Sequence, residues 1–264
     1  MRAAEWAGSF YPAAEERLRQ ELRRLVPEVS RRRALVAIAP HAGYQYSGAV
    51  AGAVYGRLEI PNRVVLLCFH HRGAGRDFAV WPPGEWETPL GRARVPPDLV
   101  ERICAIGGEV DEGGHRQEHS GEVQLPFLQW ARSGVEIAPV AVSAGWEEHD
   151  RIVEFGRRLG ELPEEVLVVA STDLNHYEPH EITLEKDAYA IEAIRALDAD
   201  ALRRAVFEHR VTMCGFAPVL AAIAYARARG ATEATLVEHR TSAHAGGDRA
   251  RTVGYAGLMV PCGN

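Results

Sequence analysis

Short apolar runs alternate along this chain with longer stretches of helical periodicity. Residues 34–40 (ALVAIAP), 63–69 (RVVLLCF), 135–143 (VEIAPVAVS) and 165–172 (EVLVVAST) are runs of apolar residues bounded by charges or turn formers. Runs of that length with little polar alternation predict strands covered on both faces. Between them, apolar and small positions recur at helical spacing over residues 12–26, 47–58, 97–106, 120–132, 147–161, 183–197, 199–209 and 214–230. Ser47 and Ser120 stand where N-caps belong, Gly230 where the last of these helices stops, and Pro126 demands a kink or an early end. Residues 72–95 mix turn formers with short alternating runs, which predicts a small antiparallel insertion or hairpin. Residues 108–118 read as a polar loop, and 234–243 and 251–260 as closing strands that pair.

Strand, loop, helix and strand over residues 34–69 make a βαβ unit, expected to be right-handed. No composition shift, long linker or repeat divides the 264 residues. The expectation is one α/β domain over residues 1–264, three layers deep, with a mixed, mostly parallel sheet. Composition leaves that picture intact, at 47% hydrophobic and 25% charged residues. A net charge of -6 removes any global electrostatic case for nucleic acid. The basic run Arg31–Arg33, with Arg23 and Arg24, sits beside Glu15, Glu16, Glu21 and Glu28 and reads as the solvated end of an amphipathic helix. Cys68, Cys104, Cys214 and Cys262 are too few and too far apart for a disulfide framework; Cys68 in an apolar run and Cys214 opening a helical one read as buried free thiols, and a reducing compartment is expected. The first residues lack the apolar core of a signal peptide, and no stretch nears ~18 apolar residues. The expected address is the cytoplasm.

Histidines change the picture more than composition does. An open α/β sheet binds ligands at the carboxyl ends of its strands, and imidazole is the commonest metal ligand and general base. His41 follows the first predicted strand, and His71, with His70 beside it, the second. Asp173 and His176 follow 165–172, where the carboxylate either orients the ring or caps the next turn. Glu118, His119 and Glu122 stand in EHSGE, where Ser120 or His119 also serves as a cap and Glu122 suits a first turn. His244, Asp248 and Arg249 share a loop whose Gly246-Gly247 pair is equally a hairpin turn. His115, His149, His180, His209 and His239 sit among charges and read as surface residues. No dinucleotide fingerprint, P-loop or GxSxG motif occurs.

WAGSFYP, APHAGYQYSG, HHRG, EHSGEVQLPFL, STDLNHY, CGFAPV and GDRARTVGYAG together resemble the MEMO family, whose bacterial and archaeal members are called AmmeMemoRadiSam system protein B. The resemblance spans essentially the whole chain. It implies the three-layer αβα architecture of class III extradiol dioxygenases and a non-haem iron site. By motif, His41 and His71 would be two metal ligands. The third would come from the loop before the last strand, where His244 stands in place of the cysteine or acidic residue of other members. His176, oriented by Asp173, would move protons, with His119 and Glu118 as further acid–base candidates. LLCFHHRG departs from the family's Gly-Pro and would put Cys68 and Phe69 near the site. The implied cofactor is one divalent ion, iron or copper first, while three imidazoles suit zinc equally. The implied activity is a metal-dependent oxidoreductase. Two alternatives stand beside it: a zinc metallohydrolase with His176 or Glu118 as proton shuttle, and a non-catalytic protein. The latter would bind a peptide or small molecule, use Trp81, Trp86 and Tyr46 as a recognition surface, and work with AMMECR1-like and radical-SAM partners.

Overall fold

The computed structural model describes residues 1–263 except positions 74 and 164; position 74, inside the 72–95 stretch, lies outside the described residues. In chain order the elements are α1 (Glu15–Leu25), β1 (Ala34–Ala39), α2 (Tyr44–Tyr55), β2 (Arg63–Cys68), β3 (Phe78–Val80), β4 (Gly84–Thr88), β5 (Gly91–Val95), α3 (Pro97–Ala105), β6 (Glu109–Val110), α4 (Leu125–Ala131) and β7 (Glu136–Val142). They continue with α5 (His149–Gly160), β8 (Leu167–Ser171), β9 (His176–Glu178), α6 (His180–Arg195), α7 (Ala199–Phe207), α8 (Phe216–Ala228), β10 (Thr235–Thr241) and β11 (Thr252–Pro261). The sheet runs β10-β11-β1-β8-β2-β7-β3-β6. Its centre, β1, β8, β2 and β7, is parallel throughout. β11 joins antiparallel to β1, and the closing strands β10 and β11 pair as expected.

The four central strands bury nearly every residue, which is why they read as continuous apolar runs rather than alternating ones. Each fully buried Val or Leu contributes roughly 1.5–3 kcal/mol of transfer free energy. Helices α1, α2 and α4 pack together against the sheet, while α5, α7 and α8 form a second group. Two glycines let helices touch backbone to backbone. A Cβ on Gly52 of α2 would lie 2.2 Å from the Leu25 carbonyl oxygen at the end of α1, and one on Gly156 of α5 would lie 2.1 Å from that of Ala221 in α8. The result is a mixed α/β domain with a mostly parallel sheet between helices.

Local signals missed in instructive ways. Ser47 caps nothing, because α2 begins at Tyr44 and its hydroxyl donates to the Ala42 carbonyl. Ser120 donates instead to the Phe69 carbonyl, and the predicted 120–132 helix becomes a 3-10 turn (Glu122–Gln124) followed by α4, with Pro126 in its opening turn. Proline there forfeits a donor with no helical partner anyway, so it starts the helix rather than kinking it. The 72–95 stretch splits, giving β3 to the main sheet and a β4–β5 hairpin. His115 and His180 are buried, contrary to a surface reading, and the His239 ring pairs with buried Asp187 at 2.8 Å. Trp81 and Trp86 are core residues, so they offer no recognition surface. Among the described residues no helix is long and apolar enough to cross a membrane.

Candidate metal centre

Strand order builds the site. β8 lies between β1 and β2 in parallel register, with Ala39 opposite Ser171 and Leu67 opposite Ala170. The chain therefore leaves the sheet at one edge three times over: toward His41 after β1, toward His71 after β2 and toward Asp173 after β8. Adjacent strands are ~4.8 Å apart, so these loops converge. The stretch between β6 and α4 brings Glu118 and His119 in beside them.

His41, His71 and His119 each present one ring nitrogen, and the three atoms lie within 4.8 Å of one another. The ring centroids are 5.1 Å apart for His41–His71, 5.2 Å for His41–His119 and 4.5 Å for His71–His119. His41 is buried, His119 half-buried and His71 open to solvent. Hydrogen bonds settle which nitrogens are free. Nδ1 of His41 lies 2.8 Å from the Ser171 hydroxyl, whose own proton goes to the Ser120 carbonyl at 2.7 Å. The hydroxyl can then only accept from Nδ1–H, which leaves the lone pair on Nε2. The Gln124 amide also donates to that hydroxyl, at 2.9 Å, and is itself oriented by donating to the Pro40 carbonyl and accepting from Tyr55. Glu118 does the same for His71 and stands close to the His119 ring. Its carboxylate takes Nδ1–H of His71 at 3.0 Å, lies 3.4 Å from Nδ1 of His119, and accepts the backbone N–H groups of His71 and Ser120. Carboxylates and hydroxyls holding Nδ1 are the usual outer partners of metal-ligating imidazoles.

Electrostatics keep two of these rings unprotonated. Burial first, then the neighbouring rings of His119 and His71, push His41 well below the ordinary histidine range. Burial likewise brings His119 down to about 4. Both rings are neutral at pH 7, with lone pairs available. Burial pushes the Glu118 carboxyl up, but His71, His119 and the Ser120 N–H together outweigh it and hold it well below the usual carboxylate range. Neutral rings at His41 and His119, and hydrogen-bonded outer nitrogens on His41 and His71, make a donor set that fits a divalent transition metal.

Around this group opens a cavity of about 690 Å³, lined by His71, His119, Asp173, His176 and Cys214 among others. The Cys214 thiol stands 3.2 Å from Nε2 of His41, and burial pushes its titration up. Asp173 accepts the backbone N–H of His41 at 2.8 Å, and burial raises its carboxyl to about 6. His176 donates Nδ1–H to the Thr212 carbonyl at 2.9 Å, which leaves Nε2 as its basic atom. His71 and His119 therefore share one cavity wall with Asp173, His176 and Cys214.

His244 is placed elsewhere. It sits exposed in a 3-10 turn (Ser242–Ala245), and its Nδ1 accepts the Thr241 N–H at 3.0 Å. Its ring is engaged in that cap and is not among the three imidazoles whose nitrogens converge. The same loop does give Ser242, Gly247 and Asp248 to the cavity rim. His119, expected as an acid–base group, occupies the third position in the cluster. Cys214 was missed as a site residue, although CGFAPV places it just before a helix start, where a side chain faces the strand ends. Phe69 does lie near the site, 5.2 Å from the His71 ring, while Cys68 faces the other way, 3.9 Å from Nδ1 of His115. Glu122 is neither cap nor site group but half of a buried ion pair with Arg2.

The chain matches the family model described as Memo-like protein over residues 2–259. It is 38% identical to a MEMO1 family protein of Ignicoccus hospitalis, covering 97% of this chain and 96% of the relative. A MEMO1 family protein of Aquifex aeolicus is also 38% identical, with 96% of each chain covered. One from Methanosarcina barkeri is 36% identical, over 98% of this chain and 100% of its own. Among solved structures, the uncharacterized protein JW3007 of Escherichia coli K12 superposes with a TM-score of 0.61 at 15% identity, covering 86% of this chain and 100% of that one. That likeness concerns the fold alone.

Proposed function

The chain belongs to the Memo-like protein family, and from that membership and the geometry above we propose that it is a metal-dependent oxidoreductase acting on a small molecule. The ion would be held by His41, His71 and His119, with Cys214 as a neighbouring soft donor. The convergence of three imidazoles on one point carries this reading. Iron or copper bound there would supply electron transfer and oxygen chemistry; imidazole with an adjacent thiol suits copper in particular. His176 holds its Nδ1 proton on Thr212 and offers Nε2 to a substrate proton across the cavity. Asp173 fixes the His41 backbone and supplies a carboxyl whose titration lies near neutrality. A cavity of about 690 Å³ is within the usual range for small-molecule sites.

A second reading has its own observation. Tyr46 and Tyr177 line the cavity and are 39% and 64% exposed, so a peptide laid across the mouth would find aromatic surface. The deciding experiment is elemental analysis of untagged protein purified anaerobically, followed by oxygen uptake with candidate substrates. The oxidoreductase reading expects about one equivalent of iron or copper, lost in His41→Ala and His119→Ala. It expects His176→Asn to keep the ion and lose turnover. Stoichiometric zinc without oxygen uptake moves the assignment to hydrolysis. A chain that takes up no metal on reconstitution leaves the peptide-binding reading.

A further inference from the structure

The segment WAGSFYP and the arginine four residues before it run across the stretch that carries Glu118 and His119. Arg2 is 3% exposed, and each guanidinium N–H has an acceptor. Nε donates to the His115 carbonyl at 3.2 Å and Nη2 to the Glu118 carbonyl at 2.6 Å. Nη1 meets the Glu122 carboxylate and the Ala3 carbonyl, and Nη2 also reaches Glu5. The guanidinium lies 4.4 Å from the Trp86 ring, which backs it from the core. Glu122, fully buried, ties the segment down again by accepting the N–H groups of Glu5 and Trp6 and the Tyr11 hydroxyl. Glu5 in turn accepts the N–H of Gln117, a residue held at φ +54 just before Glu118. Such a conformation is unfavourable for a side chain with a Cβ and persists only where its surroundings enforce it. Trp6 and Phe10 then wall the His119 ring, with centroids 5.6 and 4.4 Å away.

We propose that residues 2–11 are a positioning strap for the 115–122 stretch, with Arg2 as its positioning residue, so that metal affinity at the imidazole site depends on a segment that supplies no ligand. Arg2 acts through the backbone on either side of Glu118, and Trp6 and Phe10 act on the His119 ring directly. This inference rests on the metal-site reading above.

The test measures Co(II) affinity by chelator competition, and the visible absorption of the Co(II) form, in wild type, Arg2→Ala, His119→Ala and the double variant. Arg2→Ala should lower affinity by about 10-fold or more, as outer-sphere losses do, and alter the absorption band. In the His119→Ala background it should add less than in wild type, because part of its effect passes through His119 and only the remainder through the Glu118–His71 bond. An equal loss in both backgrounds, or unchanged affinity in a folded Arg2→Ala protein, overturns the assignment. Should Arg2→Ala not fold, Glu5→Ala removes the acceptor for the Gln117 N–H and is held to the same pattern. Amide hydrogen exchange of the metal-free protein separates the strap from the metal reading. Faster exchange over 115–122 in the variant, with the central strands unchanged, supports the strap even where wild type takes no Co(II). Unchanged exchange overturns it.

Discussion

Ser171 accepts the Nδ1 proton of His41 across 2.8 Å, because its own hydroxyl proton is committed to the Ser120 carbonyl. One buried hydroxyl at the end of β8 thereby decides which nitrogen of a ring at the end of β1 is left for chemistry. Ser171→Ala should lower metal affinity by about 10–100-fold while leaving the fold intact. Isothermal titration with Zn(II) measures this, and an affinity within twofold of wild type would show that the tautomer is set some other way.

The two candidates for third ligand separate cleanly. His119→Ala removes a member of the cluster and should cost more than the ~10–100-fold typical of outer-sphere partners. His244→Ala removes only a cap on an exposed turn and should leave affinity unchanged. Equal losses in both variants would return His244 to the ligand set.

His115 supplies a pH prediction away from the cluster. Burial brings its ring down to about 4, against an ordinary 6.5, while its N–H to the Ala79 carbonyl works the other way. A histidine with a lowered folded-state pKa refuses a proton that the unfolded chain accepts. Its neutral-form stability is complete above pH 6.5 and falls as pH drops through 6.5 toward 4. The span corresponds to about 3 kcal/mol. His115→Gln keeps a donor for Ala79 but cannot titrate, so it should lose less stability than wild type between pH 7 and pH 4.5. Urea unfolding at the two pH values provides the comparison; parallel losses in both proteins would exclude His115 as the source.

Gly156→Ala should destabilise, although glycine to alanine within a helix ordinarily gains ~1 kcal/mol. The new Cβ would fall 2.1 Å from the Ala221 carbonyl oxygen, so α5 and α8 must move apart. A net loss of about 1–3 kcal/mol is expected from overpacking. Thermal unfolding settles the sign, and a raised midpoint would mean that the helices can separate freely.

Sequence by itself determined the central strands and most helices, the layered α/β class and the outline of the site. Apolar runs at 34–40, 63–69 and 165–172 are long enough to demand burial on both faces, and that condition is local. For the same reason His41, His71, Asp173 and His176 could be placed at strand ends, since each follows its run within a few residues. Tertiary structure alone decided strand order, and with it which strand ends meet. Inserting β8 between β1 and β2 put Ser171 beside His41, and the turn after β10 engaged the His244 ring in capping the Thr241 N–H. Burial of His115 and the ion pair of Arg2 with Glu122, residues 120 positions apart, depend on the same non-local choice. Periodicity records whether a side chain must leave water. It carries no record of which partner it meets there, because the free energy of apolar burial has no direction and hydrogen-bond partners are selected only once the chain has packed.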